Sequence, residues 1–514
     1  LGSSFLYLLY SFAGIYGLEL FKWFVIFSIA GLYFYYCIGL KDKIDITNIT
    51  LAFLAVTVLN TVASLVKPDN FTLLFFALIV FIYFHTKLYH KKLFYFYPLV
   101  FLIWVNTHGG FLIGLFFITL ALFGDMLTYL LKREDALPKR HIFEFAIIVV
   151  FSYIATLLNP YGLGYHLYII PTYFKGEIMG YAGKVFAFSS LWKYLFTDYF
   201  KLRDSFIAAI VLIAIFMIIS IYLFRRKRFF DAGITVLNLT FFYLGSNTSR
   251  VISFFAIIAV FSMAYIIKKS DALDIKRNIG AISALILIFM ASMVTYDSLT
   301  KTTFRSWFPT NMDDVLPDKE TGYIKKFGLP QPIFNDYLIG GYLIWALYPE
   351  YKIFIDPRYG PYWKETGPDY FNFESNATEY ELKKFNQKYP FKTAVFHYAA
   401  VKFIKLFMAS DEWKLVYFGD IAAVFVRKDA IDGVPEDAFK EDISPDRFRN
   451  FIEPVALQAI FAIYANLGAV EYAGEILDIY NKNVSDLYYQ KNADIRGMQA
   501  FLNKVKLRNI KLNR

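Results

Sequence analysis

WVNTHGGFLIGL, residues 104–115, places Asn106, Thr107, His108 and Gly109-Gly110 inside a run of Trp, Val, Phe, Leu and Ile. If this is one continuous apolar segment, a histidine and an asparagine are buried in hydrocarbon, where polar side chains are expensive. If it is a break, two spans meet at a short polar turn. The choice decides the fold, and the remainder of the chain bears on it.

The chain has 514 residues, of which 57% are hydrophobic and 20% aromatic. Only 19% are charged, below the roughly 25% usual for soluble domains. Apolar runs at 18–40, 48–66, 71–86, 93–107, 110–131, 142–158, 205–224, 231–245, 250–267 and 278–297 approach or reach the roughly 17–25 residues that cross a bilayer. Composition thus implies a polytopic membrane protein whose first partner is the lipid bilayer. The single cysteine, Cys37, allows no internal disulfide and leaves the compartment open. The chain begins at Leu1 in what reads as the interior of an element, so upstream sequence is expected.

The basic residues orient these runs. Lys41 and Lys43 follow the first; Lys87, Lys91 and Lys92 the third; Lys132, Arg133, Lys139 and Arg140 the fifth. Arg225, Arg226, Lys227 and Arg228 follow the seventh, and Lys268, Lys269, Lys276 and Arg277 the ninth. The intervening short loops hold little beyond Lys67 and Arg250. By the positive-inside rule the cation-rich loops are cytoplasmic. The net charge of +10 therefore belongs to membrane topology, and nucleic acid is not implied. Residues 1–16 then start outside as a short interfacial stretch, 159–204 forms an aromatic outer loop, and everything after about 298 is extracytoplasmic.

That last part has soluble chemistry. YKIFID (351–356) and KTAVFHY (392–398) read as strands, and WKLVYFGDIAAVFVRK (413–428) as a hairpin turning at Gly419-Asp420. A helix is expected at 378–388, and from Pro454 two amphipathic helices flank Leu467-Gly468, similar to one tetratricopeptide hairpin. The expected fold class is a polytopic α-helical membrane domain of about ten spans at 1–297, an extracytoplasmic mixed α/β domain at 298–450, and a helical tail at 451–514.

With this topology the polar turns fall on one side. Asn106 and His108 lie between spans four and five, Asn159-Pro160-Tyr161-Gly162 ends span six, and Asn247 and Arg250 lie between spans eight and nine. Each has a plainer reading: a hairpin cap for His108, a helix stop for the Asn-Pro-Tyr-Gly segment, a snorkelling cation for Arg250. A second cluster, IFNDYLIGGYLIWALYPEYKIFIDPRYGPYW (333–363), opens the outer domain. Its Asp336, Tyr337, Asp356 and Arg358 set carboxylates, a ring and a guanidinium together, which suits a sugar or a phosphate. The plainer reading here is that Asp356 and Arg358 pair to shape a turn. No HExxH, Walker, GxSxG or CxxC pattern occurs, and the six histidines have no metal-ligand spacing.

The combination of WVNTHGGFLIGL, NPYG, a Ser-Arg turn before a span, and FNDYLIGGYLIW…KIFIDPR resembles a bacterial and archaeal family of polytopic proteins. These are grouped with the GT-C glycosyltransferases, alongside protein mannosyltransferases, aminoarabinose transferases and oligosaccharyltransferase catalytic subunits. The resemblance covers nearly the whole chain. FNDYLIGGY is also distantly similar to the Trp-Trp-Asp-Tyr-Gly segment of oligosaccharyltransferases, with only Asp336-Tyr337 in line and the tryptophans absent. In such enzymes an essential acidic residue lies in the first outer loop. This chain starts within the end of that loop, so the first span and the catalytic carboxylate are expected upstream of Leu1.

The resemblance implies transfer of a sugar from a polyprenyl-phosphate-linked donor to a protein, glycolipid or polymer, in the cytoplasmic (inner) membrane of a prokaryote with the C-terminal domain periplasmic. Asp336 and Asp356 are the carboxylates available in this sequence for catalysis. Asn106, His108, Asn159, Arg250, Tyr337 and Arg358 are the substrate-binding candidates, and a divalent ion such as Mg or Mn is an expected companion of the phosphate. The rival expectation is a non-catalytic scaffold that holds a protein partner through the outer domain or tail. A secondary transporter fits less well, because Asp125 and Glu144 lie toward the cytoplasmic ends of their runs.

Overall fold

The computed structural model describes all residues except 1, 40–45, 64–65, 90, 132–135, 175–188, 197–199, 226–229, 270–282, 293–315, 358–361, 363–364, 433, 435–443, 452–453, 485–490 and 513–514. The chain forms two compact units, Leu1–Phe308 and Pro309–Arg514.

The first unit is helical: α1 (Gly2–Gly39), α2 (Ile46–Ala63), α3 (Asp69–Tyr89), α4 (Tyr97–Val105), α5 (Phe111–Leu130), α6 (Lys139–Ala155), α7 (Leu163–Phe174), α8 (Phe200–Arg225), α9 (Ala232–Asn247), α10 (Ile252–Lys269) and α11 (Ser283–Ser292). Among the described residues, five stretches are long and apolar enough to cross a membrane: Tyr16–Ile38, Asp69–Tyr89, Phe111–Leu130, Arg203–Arg225 and Ser249–Lys269. This is a membrane protein by that measure. The other expected runs also contain helix, but shorter helix. Leu93–Val105, for example, rises roughly 20 Å at 1.5 Å per residue, against a hydrocarbon core of about 30 Å.

Glycines set the packing. Gly14, at φ 57°, breaks α1 just before the span begins at Tyr16, so the residues ahead of it form a separate helical arm. Where α5 meets α9, a Cβ on Gly124 would lie 2.5 Å from Gly233 Cα, so the two backbones touch directly. Helix α10 is the centre: every side chain from Ile252 to Ile266 is buried, as befits a helix that is apolar all round. The segment 159–204 contains α7 and a 3-10 turn at Leu191–Tyr194, with Tyr161, Tyr168 and Trp192 exposed and no long apolar span among its described residues.

The second unit is a four-stranded sheet with helices on both faces. Its elements are α12 (Asp318–Lys326), β1 (Ile333–Asn335), α13 (Gly340–Leu347), α14 (Thr366–Ser375), α15 (Glu379–Lys388), β2 (Thr393–His397), α16 (Val401–Ala409), β3 (Trp413–Phe418) and β4 (Ala422–Arg427). The helices α17 (Pro454–Asn466), α18 (Val470–Asn483) and α19 (Lys491–Leu512) complete it. Strand order is β1-β2-β4-β3, with β1 parallel to β2 and the remaining pairs antiparallel. Alternation along the strands divides the core. Ile333, Val395 and Val424 pack with Ile324, Leu343 and Leu347 on one face. Phe334 faces the other way, with ring centroids 4.9 Å from Phe391 and 5.4 Å from Phe385 and Phe396.

The expected hairpin, the strand within 392–398, the helix within 378–388 and the two tail helices are present; Gly468, at φ 78°, ends α17 where a left-handed residue is needed. The stretch 351–356 is not a strand. The Asn335 side chain binds it instead, accepting from Phe354 N at 2.9 Å and Ile355 N at 3.3 Å and donating to Ile355 O at 2.7 Å. One amide thus replaces the ladder that a neighbouring strand would supply.

Candidate functional site

The N-terminus of α3, the α4–α5 turn and the α9–α10 turn meet in one polar cluster. Arg250, on the 3-10 turn Ser249–Val251, bonds and ion-pairs with Asp69, the first residue of α3. His108 Nε2 lies 3.7 Å from the same Asp69 oxygen. Lys67 is an electrostatic neighbour of both Asp69 and Arg250.

The hydrogen bonds fix the histidine. Trp104 Nε1 donates to Thr72 Oγ1 at 3.1 Å, leaving the hydroxyl proton for His108 Nδ1 at 2.7 Å. Gly110 N also donates to Nδ1, at 3.2 Å. With Nδ1 an acceptor, the neutral ring carries its proton on Nε2, toward Asp69. The glycines serve this contact by allowing close approach. A Cβ on Gly110 would sit 2.3 Å from Thr72 Oγ1, and one on Gly114 2.4 Å from the Trp104 ring. Gly110 itself has an ordinary φ of −67°. The Gly-Gly pair therefore makes room, and no left-handed turn is involved.

Side-chain exposures of 19% for Asp69, 18% for His108 and 23% for Arg250 leave the cluster reachable by a ligand. A second ionic cluster is sealed. Lys87 on α3 pairs with Asp125 on α5 at 2.5 Å and with Asp231, the N-cap of α9, at 2.7 Å, all at 1% exposure or less. Tyr83 donates to Asp125 at 3.0 Å, and the adjoining void of about 10 Å³ holds one water at most. It joins three helices and has no room for a substrate.

The other sequence candidates go elsewhere. Asn106 Nδ2 donates to Leu102 O and Leu158 O, both at 2.9 Å, tying the ends of α4 and α6. Asn159 accepts from Tyr161 N at 2.9 Å and donates to Thr156 O and Gly162 O, which is the helix-stop reading of Asn-Pro-Tyr-Gly. In the second unit Asp336 is buried, and its carboxylate accepts from His397 N at 2.6 Å, Leu338 N at 2.8 Å and Ile339 N at 3.4 Å. It clasps β2 to the start of α13. Burial nevertheless pushes its pKa up to about 6 and pushes that of His397 down to about 4. Asp356 is buried and accepts from the Tyr362 hydroxyl. Tyr337 packs on Phe371 at 5.7 Å, and its backbone N–H donates to Tyr370. Arg358 lies outside the described residues.

Sequence reading missed Asp69 and Thr72. The Lys67-Pro68-Asp69 start signal marks a helix N-terminus there, but only the fold brings it beside His108 and Arg250. It also missed Glu320, buried on α12, which accepts from Ile421 N and Ala422 N at 2.9 Å each and so clamps the β3–β4 turn. Among the described residues no group of three or more His, Cys, Asp or Glu is placed to hold a metal ion. What faces Asp69 is a guanidinium, so the fixed positive charge at this site is protein-borne. No family model and no curated protein matches this chain.

Proposed function

We propose that the chain is a membrane glycosyltransferase of GT-C type, moving a sugar from a polyprenyl-phosphate-linked donor to an extracytoplasmic acceptor. The observation that carries this reading is the convergence of Asp69, Arg250 and His108 at one set of helix turns. The distribution of loop cations supports about ten spans, with this cluster on the outer side of a prokaryotic inner membrane and the second unit on that side too.

In this scheme Arg250 binds the donor phosphate with its fork, and Lys67 adds charge. The acceptor hydroxyl oxygen attacks the anomeric carbon, and the bond from that carbon to the phosphate oxygen breaks. The electron pair leaves on polyprenyl phosphate, stabilised by Arg250, and the hydroxyl proton passes to the Asp69 carboxylate. Arg250 holds Asp69 in place, and His108, fixed by Thr72, lies beside it with Nε2 3.7 Å away. Asp69 thereby takes the role that the sequence reading expected of a carboxylate upstream of Leu1.

The test is transfer from a labelled polyprenyl-phosphate sugar by the full chain in proteoliposomes. Asp69→Asn is expected to lower transfer about 100-fold or more with donor binding retained, in the range usual for a general base. Arg250→Ala is expected to weaken donor binding as well. Undiminished transfer by Asp69→Asn sinks the assignment. The antiparallel pair α17 and α18 favours the scaffold reading instead; co-purification of a partner that is lost on deleting 454–514, without any transfer activity, would establish that alternative.

A further inference from the structure

Helix α13 presents two unlike faces. Leu343 and Leu347 are buried against the sheet and Gly340 against Ile355 and Asp356, while Leu338 in the turn before the helix, Trp345 on it and Tyr348 at its C-cap stand out at 60%, 51% and 73% exposure. Gly341 extends the outward face, and Tyr342 borders it half-buried, its hydroxyl donating to Asp318 and its ring 5.4 Å from Trp345. Gly341 and Trp345, four residues apart, share one side of the helix, and Leu338 and Tyr348 flank it at either end. The described large hydrophobics exposed in this unit are Leu338, Trp345, Tyr348, Tyr380, Leu467 and Phe501, so half of them fall on this one face. From Leu338 to Tyr348 the chain has no charged residue.

We infer that this stripe is an interfacial anchor that docks on the head-group boundary of a lipid bilayer. Two observations choose lipid as the occupant. Trp and Tyr, each with an apolar ring and a polar tip, are the residues enriched at that boundary, and here they accompany a leucine without a charge to desolvate. The spans in the same chain hold this unit beside a membrane surface at high effective concentration, so weak apolar contact suffices. An uncovered aromatic patch in a soluble setting is an aggregation hazard, and the anchor removes it. The inference is independent of any transferase activity.

The experiment uses the full chain in nanodiscs whose lipids are brominated near the glycerol end of the acyl chains. The emission of Trp345 is the difference between the wild type and Trp345→Phe, a conservative change at an exposed position. That component is expected to be quenched by bromolipid and shielded from aqueous iodide. Quenching by iodide but not bromolipid overturns the inference, because the stripe is then solvated. Protection from both also overturns it, because protein then covers the stripe, whether a second copy or another part of this chain. A spin label on Leu338→Cys, compared for access to oxygen and to a water-soluble nickel chelate, repeats the reading independently of tryptophan; Cys37 is buried and leaves little background.

Discussion

Single side chains in this protein often do backbone work that their type disguises. Asn335, Asn106 and Asp336 are polar groups in apolar stretches, and all three bind main-chain N–H or C=O groups. Asp336 carries a measurable consequence. Its folded pKa, raised from 3.8 to about 6, makes the folded state the stronger proton binder between those values, so stability falls by about 3 kcal/mol as pH rises through them. His397, lowered from 6.5 to about 4, has the opposite sign, since folding releases its proton and stability grows by about 3 kcal/mol over that interval. The two nearly cancel in the wild type. Asp336→Asn removes one and leaves the other, so from pH 4 to 6.5 the denaturation midpoint of the sheet unit should gain more in the variant than in the parent. A variant that tracks the parent across that interval would show that the folded state does not hold a proton on Asp336.

At the scale of elements, the strongest connection is the meeting of α3, α5 and α9. Direct backbone contact at Gly124 and Gly233 brings Asp125 and Asp231 onto Lys87. Desolvating three charges costs nearly as much as their attraction returns, so such a cluster specifies register more than it stabilises. Lys87→Met, which strands two carboxylates, should cost about 3–5 kcal/mol in thermal unfolding of the detergent-solubilised chain. The triple variant Lys87→Met, Asp125→Leu, Asp231→Asn should recover most of it, with Asn still accepting from Ile234 N. A triple variant as unstable as the single one would mean the ion cluster is a net source of stability. None of this was legible beforehand. Residue order alone places Lys87 among the loop cations, because hydropathy gives depth along a span and says nothing about which face meets which neighbour.

For the whole molecule, orientation is the prediction with most reach. Cysteines placed at Lys91 and Lys139 should resist a membrane-impermeant maleimide in intact cells, and cysteines at Lys67 and Tyr161 should react; labelling at Lys91 would invert the topology. The membrane character, the β3–β4 hairpin and the strand within 392–398 were readable from residue order, since apolar run length, turn residues and strand alternation are local properties. The short strand β1 was not, and 351–356 has a strand's alternation without a strand's partner. The same run lengths do not fix the number of spans, because an apolar run of fifteen residues does not say whether its helix reaches across a bilayer. In WVNTHGGFLIGL the sequence alone determined that the apolar run is interrupted by a polar turn. Only the tertiary structure decided what that turn is for. The side chains facing His108 come from residues 69, 72 and 250, and Gly110 leaves room for a threonine from another helix. Contacts between positions so far apart are set by how helices pack, and packing is a property of the whole fold that no short window of sequence contains.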